Sequence, residues 1–167
     1  PLYEELVKVP LLMYMPGAPS GKYGGLTSAI DVMPTVLDML GQETPGYVQG
    51  DSLLPRMRDV SLPGREFVVS TIPFANPGDT TRSFDSISRQ LRASPVTTVT
   101  AGDWSLLYSM DEGASALHDL AKDPVQEDNV ISRHEDVAKE LHRYLVKFLR
   151  DTNAADHLIA TRQEFRL

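Results

Sequence analysis

The sequence predicts a mixed fold, α/β to α+β: the edge of a larger parent α/β sheet, followed by a small antiparallel sheet packed on a C-terminal helix. Three observations predict it. A nearly continuous apolar run precedes an amphipathic helix in the first third, two β-like runs meet at a Gly-Asp turn, and a strongly amphipathic helix follows near the end. The 167 residues fit one ordinary domain or the tail of a larger one.

The first third contains a predicted strand and a predicted helix. Residues 6–15 are short, apolar and closed by a Pro-Gly turn, as in a strand that is covered on both faces. Residues 31–41 predict a helix because Asp31 suits the N-cap, Pro34 suits the first turn and Gly41 suits the C-terminal stop. Its apolar residues share one face at helical spacing: Met33, Val36, Leu37 and Leu40.

The rest of the chain predicts an antiparallel sheet and a terminal helix. Strands are predicted at residues 67–71, 88–101, 104–110 and 116–120. Gly102-Asp103 between two of them is typical of a hairpin turn. A helix is predicted from about Glu135 to Asp151, with an apolar stripe made by Val137, Leu141, Tyr144, Leu145 and Phe148 and with His142 on or beside its polar side.

Composition and charge exclude several classes of function. The chain has 23 acidic and 16 basic residues, a net charge of −7 and no basic cluster, which argues against nucleic-acid binding. Its longest apolar stretch is too short to span a membrane. The absence of cysteine removes disulfides and thiolate sites and leaves the cellular compartment undetermined.

Five blocks in a fixed order resemble the sulfatase family. They are a Tyr-Glu segment leading into a basic residue and a Pro (2–12), an Asp-x-x-Pro-Thr helix (31–41), a Gly-x-Ser-Leu-x-Pro loop (49–55), a Gly-aromatic-hydrophobic strand (100–108) and a Leu-His-Asp-Leu-Ala-Lys-Asp-Pro block (117–124). His118 stands in the last block where the family usually has Tyr. Together the blocks cover roughly residues 2–150.

The resemblance implies an alkaline-phosphatase-type parent that hydrolyses sulfate esters. Such enzymes carry a formylglycine made from Cys or Ser in a Cys/Ser-x-Pro-x-Arg motif, and carboxylates and an Asn hold a divalent cation, often Ca²⁺. The family's catalytic and metal residues lie upstream of the Tyr-Glu segment, so none is carried over to a position here. We therefore expect residues 1–72 to end the catalytic α/β domain, residues 73–167 to form a small C-terminal subdomain, and the 167 residues alone to be inactive and to hold no cofactor.

A match to the motif pattern lies within this chain, since Ser61-Leu62-Pro63-Gly64-Arg65 fits Ser-x-Pro-x-Arg. It follows the predicted helix, whereas the family's motif lies far upstream, and no aspartate pair precedes it. A cysteine-derived formylglycine is impossible in a chain without cysteine. We interpret this segment as a structural loop in which Arg65 is solvated or paired.

Three arginines are the candidate substrate-binding residues: Arg82, Arg89 and Arg92. They lie in or just after a long polar loop, and in sulfatases the C-terminal domain and nearby loops shape the mouth of the substrate pocket. Guanidinium groups suit sulfate and carboxylate, so these arginines are predicted to contact an anionic substrate at the pocket rim. Histidines and acidic residues show no metal spacing, and His118, Asp119 and Asp123 are interpreted as packing and turn residues.

The sequence is also compatible with other functions. A phosphodiesterase or phosphonate monoester hydrolase of the same superfamily shares the C-terminal pattern, and a non-catalytic binding or interaction module is a third alternative. The expected partners are the remainder of the parent catalytic domain and a sulfated small molecule or glycan. Because residues 9–15 would leave an apolar edge uncovered, the truncated chain alone is expected to self-associate.

Overall fold

The computed structural model describes residues 2–17, 19–71 and 96–165. The chain divides into two compact units, one formed by Pro1–Val9 with Val69–Leu167 and the other by Pro10–Val68. The first residues therefore belong with the C-terminal part of the chain, and the smaller unit lies between these two pieces in sequence. The predicted domains, 1–72 and 73–167, stay a prediction about the parent protein.

The larger unit contains a four-stranded sheet in the order β1-β2-β3-β4. Its strands are β1 Val68–Thr71, β2 Val96–Ala101, β3 Trp104–Ser109 and β4 Ala116–Asp119. Strands β2 and β3 pair antiparallel, as do β3 and β4. The hairpin predicted at Gly102-Asp103 is confirmed, and Gly102 has a φ of +54°, which favours glycine. The predicted residues 88–95 and the loop from residue 73 lie outside the described residues.

The described residues include five short or medium α-helices. They are α1 Glu4–Val7, α2 Val32–Met39, α3 Leu54–Arg58, α4 Glu135–Asp151 and α5 Asp156–Ala160. Helix α4 confirms the predicted terminal helix and packs on β2 and β3. The core between them consists of Val99, Leu106, Tyr108, Leu117, Val130, Ala138, Leu141 and Leu145. Burial of this apolar area is the main stabilising term in the larger unit.

The two faces of the sheet differ in polarity. Because side chains alternate along a strand, Leu106 and Tyr108 point to α4, whereas Ser105 points to the opposite face. Thr98 and His118 also lie on that opposite face, and both are almost fully buried. The sheet is thus covered on both sides, with an apolar face and a polar face.

The position of His142 corrects the sequence analysis, which placed it on or beside the polar side of the terminal helix. Only 4% of the side chain is exposed, and its ring lies 5.0–5.1 Å from the rings of Phe165 and Tyr108. The helical wheel misplaced it because the C-terminal segment folds back over α4 and covers a stripe that would otherwise face water. Such coverage is a long-range event that the local pattern does not encode.

In the smaller unit, the helix predicted at residues 31–41 is confirmed as α2, with a 3₁₀ turn, Ala29–Asp31, before it. Gly41 follows it with a φ of +66°, in keeping with a C-terminal stop. The buried residues at its start are Asp31, Pro34 and Thr35. Its apolar stripe is largely exposed, and Leu40 is 68% exposed.

The strand predicted at residues 6–15 is wrong. Residues 4–7 form α1, and residues 8–15 have no regular structure. Val9, Leu12 and Tyr14 are 74%, 94% and 87% exposed. A strand needs a neighbour to pair with its backbone groups, and in the described residues none lies beside this segment. The apolar run is therefore present without the sheet that would bury it.

Candidate functional site

The most heavily bonded carboxylate in the smaller unit belongs to Asp31, which is 1% exposed. It accepts hydrogen bonds from the backbone N–H of Ser28 at 2.8 Å and of Asp51 at 2.9 Å. The guanidinium of Arg65 adds a bond from Nε at 3.0 Å and a second, very short bond from a terminal nitrogen. This bidentate geometry is the strongest form of the Arg–carboxylate pair.

A hydroxyl extends this cluster to the loop that follows α2. Thr35 donates from Oγ1 to the carbonyl of Asp31 at 2.5 Å and accepts from the N–H of Leu53 at 2.8 Å. A Cβ on Gly50 would overlap the carbonyl of Ile30, so only glycine permits this approach of loop and helix. The Asp-x-x-Pro-Thr block and the Gly-x-Ser-Leu block therefore form one clasp around Asp31.

The electrostatics of the clasp are those of a structural ion pair. Burial alone would raise the pKa of the Asp31 carboxyl, but the Arg65 guanidinium and the N–H groups of Asp51 and Ser28 together hold it below its ordinary value. The four donors occupy both carboxylate oxygens. Asp31 is therefore a poor candidate for a metal ligand or a general base.

Ser61 has the contacts of a turn residue. Its hydroxyl donates to Oδ1 of Asp59 at 2.6 Å, its N–H donates to the same oxygen at 3.0 Å, and the side chain is exposed. Arg65, the last residue of the Ser-x-Pro-x-Arg match, is held by Asp31 instead of pointing to Ser61. The interpretation of this motif as a structural loop with a paired arginine is confirmed.

A second polar cluster lies on the polar face of the sheet in the larger unit, where the segment 2–4 covers it. Thr98 donates from Oγ1 to the carbonyl of Leu2 at 2.8 Å, and Thr100 contacts the Glu4 carboxylate at 3.2 Å. The Glu4 N–H donates to Oε1 of Gln126 at 2.6 Å. These contacts join residues about 100 positions apart and explain why the first residues belong to this unit.

His118 lies at the centre of this second cluster. Its ring packs edge-on against Tyr3 at 6.3 Å, and its Nδ1 lies 3.7 Å from Oδ2 of Asp123. The backbone N–H of Asp128 is the main cause of the lowered pKa of Asp123. Asp119 likewise accepts the N–H groups of Ala121 and Lys122, so the two aspartates fix turns, as predicted. In this setting His118 is buried and packed against Tyr3.

The role of Gln126 was not predicted from the sequence. The residue has a φ of +58° and is 6% exposed, yet nothing in its sequence neighbourhood signals a role. Its left-handed backbone lets the side chain reach the segment 2–4, and it follows the turn that Asp123 fixes. An Asp-Pro pair three positions earlier was the only available hint of a turn.

The predicted rim residues Arg82, Arg89 and Arg92 lie outside the described residues. Within residues 2–17, 19–71 and 96–165, no group of three or more His, Asp or Glu side chains could hold a metal ion. In the same part of the chain, no helix combines the length and hydrophobicity that a bilayer crossing requires.

Comparisons with known proteins agree with this geometry. The family described as N-sulphoglucosamine sulphohydrolase, C-terminal, matches residues 1–67. Arylsulfatase K of Mus musculus is 28% identical over 148 residues, which are 86% of this chain and 25% of that protein. The chain therefore spans about a quarter of the length of this curated relative.

Solved structures give the same fold. The phosphonate monoester hydrolase SpPMH from Silicibacter pomeroyi has a TM-score of 0.62 and 25% identity, covering 83% of this chain and 28% of its own. A protein solved in complex with its substrate D-glucosamine-2-N,6-O-disulfate has a TM-score of 0.58 and 21% identity, covering 78% of this chain and 26% of its own. The fold, the order of the sequence blocks and the curated relatives lead to one conclusion: the chain is similar to the C-terminal part of sulfatases of the alkaline phosphatase superfamily.

Proposed function

We propose that the protein hydrolyses sulfate esters with catalytic residues outside these 167 positions, and that this chain supplies scaffold and part of the substrate-pocket rim. The observation that carries the proposal is the similarity to arylsulfatase K. The alignment covers 86% of this chain but only 25% of arylsulfatase K. The neighbour solved with a disulfated glucosamine supports a sulfated sugar as the substrate class.

The described residues do not fit a resident metal or formylglycine. The Asp31 carboxylate is saturated by Arg65 and backbone donors, and Ser61 is bonded to Asp59. The chain has no cysteine that could become a formylglycine. A divalent cation and a formylglycine are therefore proposed for the upstream part of the protein, and no catalytic step is assigned to the residues described here.

The activity assay compares the full-length protein with the isolated 167 residues. We expect the full-length protein to hydrolyse 4-nitrocatechol sulfate and the isolated chain to show no turnover above buffer. Turnover by the isolated chain would contradict the placement of the catalytic residues. A full-length protein that is folded but inactive on every aryl and sugar sulfate tested would instead support the non-catalytic binding module.

A phosphonate monoester hydrolase is the second candidate, favoured by the likeness to the Silicibacter enzyme. Both activities act on tetrahedral anions, so the C-terminal fold does not separate them. The same assay with phenyl phosphonate and bis-p-nitrophenyl phosphate does. A kcat/KM that is higher for either phosphorus substrate than for the sulfate would replace the first proposal by this one.

The rim role of the arginines has its own test in the full-length enzyme. Replacing Arg82 and Arg89 together by Ala is expected to lower kcat/KM for the sulfated substrate by about ten- to a hundredfold, since a charged hydrogen bond is worth about 1.5–3 kcal/mol. Arg133→Ala is the matched control, because Arg133 pairs with Asp128 at the surface. An unchanged kcat/KM in the double variant would remove these arginines from the rim, and Arg92→Ala would be tested in the same way.

The remainder of the catalytic domain is the proposed partner of this chain. Large apolar side chains of the smaller unit are exposed at positions that include Leu12, Tyr14, Met33, Val36 and Leu40. Soluble monomers seldom expose so many. These side chains support the proposal that upstream residues cover them in the full-length protein and that the isolated chain self-associates.

A further inference from the structure

The C-terminal segment contacts α4 at a buried histidine. His142 is 4% exposed and lies in ring contact with Tyr108 of β3 and with Phe165. Tyr108 and Phe165 also contact each other, at 6.3 Å between centroids. The histidine therefore lies between the sheet and the returning segment that contains α5.

The hydrogen bonding of His142 fixes where a proton would be added. The imidazole bonds the backbone of Arg162, and within the described residues its Nε2 is buried without a partner. The bond to Arg162 therefore uses Nδ1, which leaves Nε2 as the unprotonated nitrogen of the neutral ring. Protonation would place an N–H and a positive charge at this buried nitrogen, which has no hydrogen-bond partner within the described residues.

Titratable and charged groups also lie on the elements packed against His142: Tyr108 on β3, and Arg162 and Glu164 on the returning segment. The Tyr108 ring of β3 lies 5.1 Å from the His142 ring. The guanidinium of Arg162 is partly buried and donates to the carbonyl of Leu158 at 3.3 Å.

We propose that His142 is an acid-sensitive latch, which holds residues 156–165 on α4 when neutral and releases them when protonated. The latch concerns the stability of this segment and is independent of the proposed sulfatase activity. The sign follows from burial, which lowers the pKa of His142 and outweighs the opposing hydrogen bond to Arg162. The released state then binds more protons than the docked state, so docking is fully stable above the ordinary histidine pKa of about 6.5 and weakens as the pH falls below it.

Hydrogen exchange of the full-length protein tests the latch, with protection factors of the Thr161 and Arg162 amides as the readout. These amides donate to the carbonyls of His157 and Ile159 within the latched segment. A single linked proton predicts a loss of protection of up to about tenfold between pH 7.5 and pH 5.5. The amide of Leu106, in the core of the sheet, is expected to keep its protection factor across this range.

Two variants and a control make the test decisive. His142→Phe keeps an aromatic ring and His142→Gln keeps a donor, and neither can titrate, so both are expected to remove the pH dependence. His157→Gln removes an exposed histidine of the same segment and is expected to leave it unchanged. If both His142 variants retain the wild-type pH dependence, or if His157→Gln abolishes it, the latch is overturned. The second variant keeps the test available if the first does not fold.

Discussion

Replacing Asp31 by Ala is expected to destabilise the smaller unit by about 3–5 kcal/mol, the usual cost of breaking a buried ion pair at one partner. The variant leaves the Arg65 guanidinium and the N–H groups of Ser28 and Asp51 without their acceptor. It also releases the loop that Thr35 and Asp31 hold together against α2. Local loss of structure would appear as faster hydrogen exchange at the amides of Asp51 and Leu53.

A double-mutant cycle separates the ion pair from the backbone bonds. Arg65→Ala is expected to cost less than Asp31→Ala, because Asp31 would still accept from two N–H groups. Asp38→Ala is the control on the same helix, since the Asp38 carboxylate is exposed and accepts a hydrogen bond from the Ser52 hydroxyl, and a cost below about 1 kcal/mol is expected. Equal costs for Asp31→Ala and Asp38→Ala would show that the clasp does not hold the unit together.

The clasp also predicts a pH dependence. Because the pKa of Asp31 is lowered in the folded state, its stabilising contribution is present above the ordinary aspartate pKa of about 3.9 and is lost as the pH falls through the folded value. Exchange at the Asp51 amide should therefore stay slow down to about pH 4 in the wild type. In the Asp31→Ala variant this loss of stability at acidic pH should be absent, because no carboxylate remains to be protonated.

Replacing Leu117 by Ala is expected to destabilise the larger unit by about 2–5 kcal/mol through lost burial and a residual cavity. Leu117 is completely buried in β4, opposite Leu106 of β3, and both lie in the core against α4. Trp104 is the single tryptophan of the chain and packs against this core, so its fluorescence during urea denaturation reports on this unit. A midpoint shift with an unchanged m-value would measure the cost directly.

Leu40→Ala is the matched control for this substitution. The same atoms are removed, but Leu40 is 68% exposed at the end of α2, so a change of no more than about 0.5 kcal/mol is expected. In the full-length protein, Leu40→Ala also tests the proposed contact between Leu40 and upstream residues. If upstream residues cover Leu40, as proposed, its substitution should cost clearly more there than in the isolated chain. A Leu117→Ala midpoint within error of the wild type would contradict the core assignment.

The sequence by itself determined several local elements and the family resemblance. The helix Val32–Met39, the hairpin at Gly102-Asp103 and the helix Glu135–Asp151 were all predictable, because caps, turn residues and apolar periodicity act over a few residues. The five ordered blocks were sufficient to identify the sulfatase resemblance. Propensity and periodicity act only between residues that are close in sequence, so these signals predict local elements and not long-range contacts.

Only the tertiary structure decided which distant groups meet. The apolar run at residues 9–15 has the pattern of a strand but no neighbour to pair with in the described residues, and a strand forms only as part of a sheet. The pairing of Arg65 with Asp31, the reach of Gln126 to Glu4 and the burial of His142 depend on chain segments that fold back from 20 to 122 positions away. No local pattern encodes such meetings, because the free energy that selects them comes from burial and hydrogen bonding in the assembled fold.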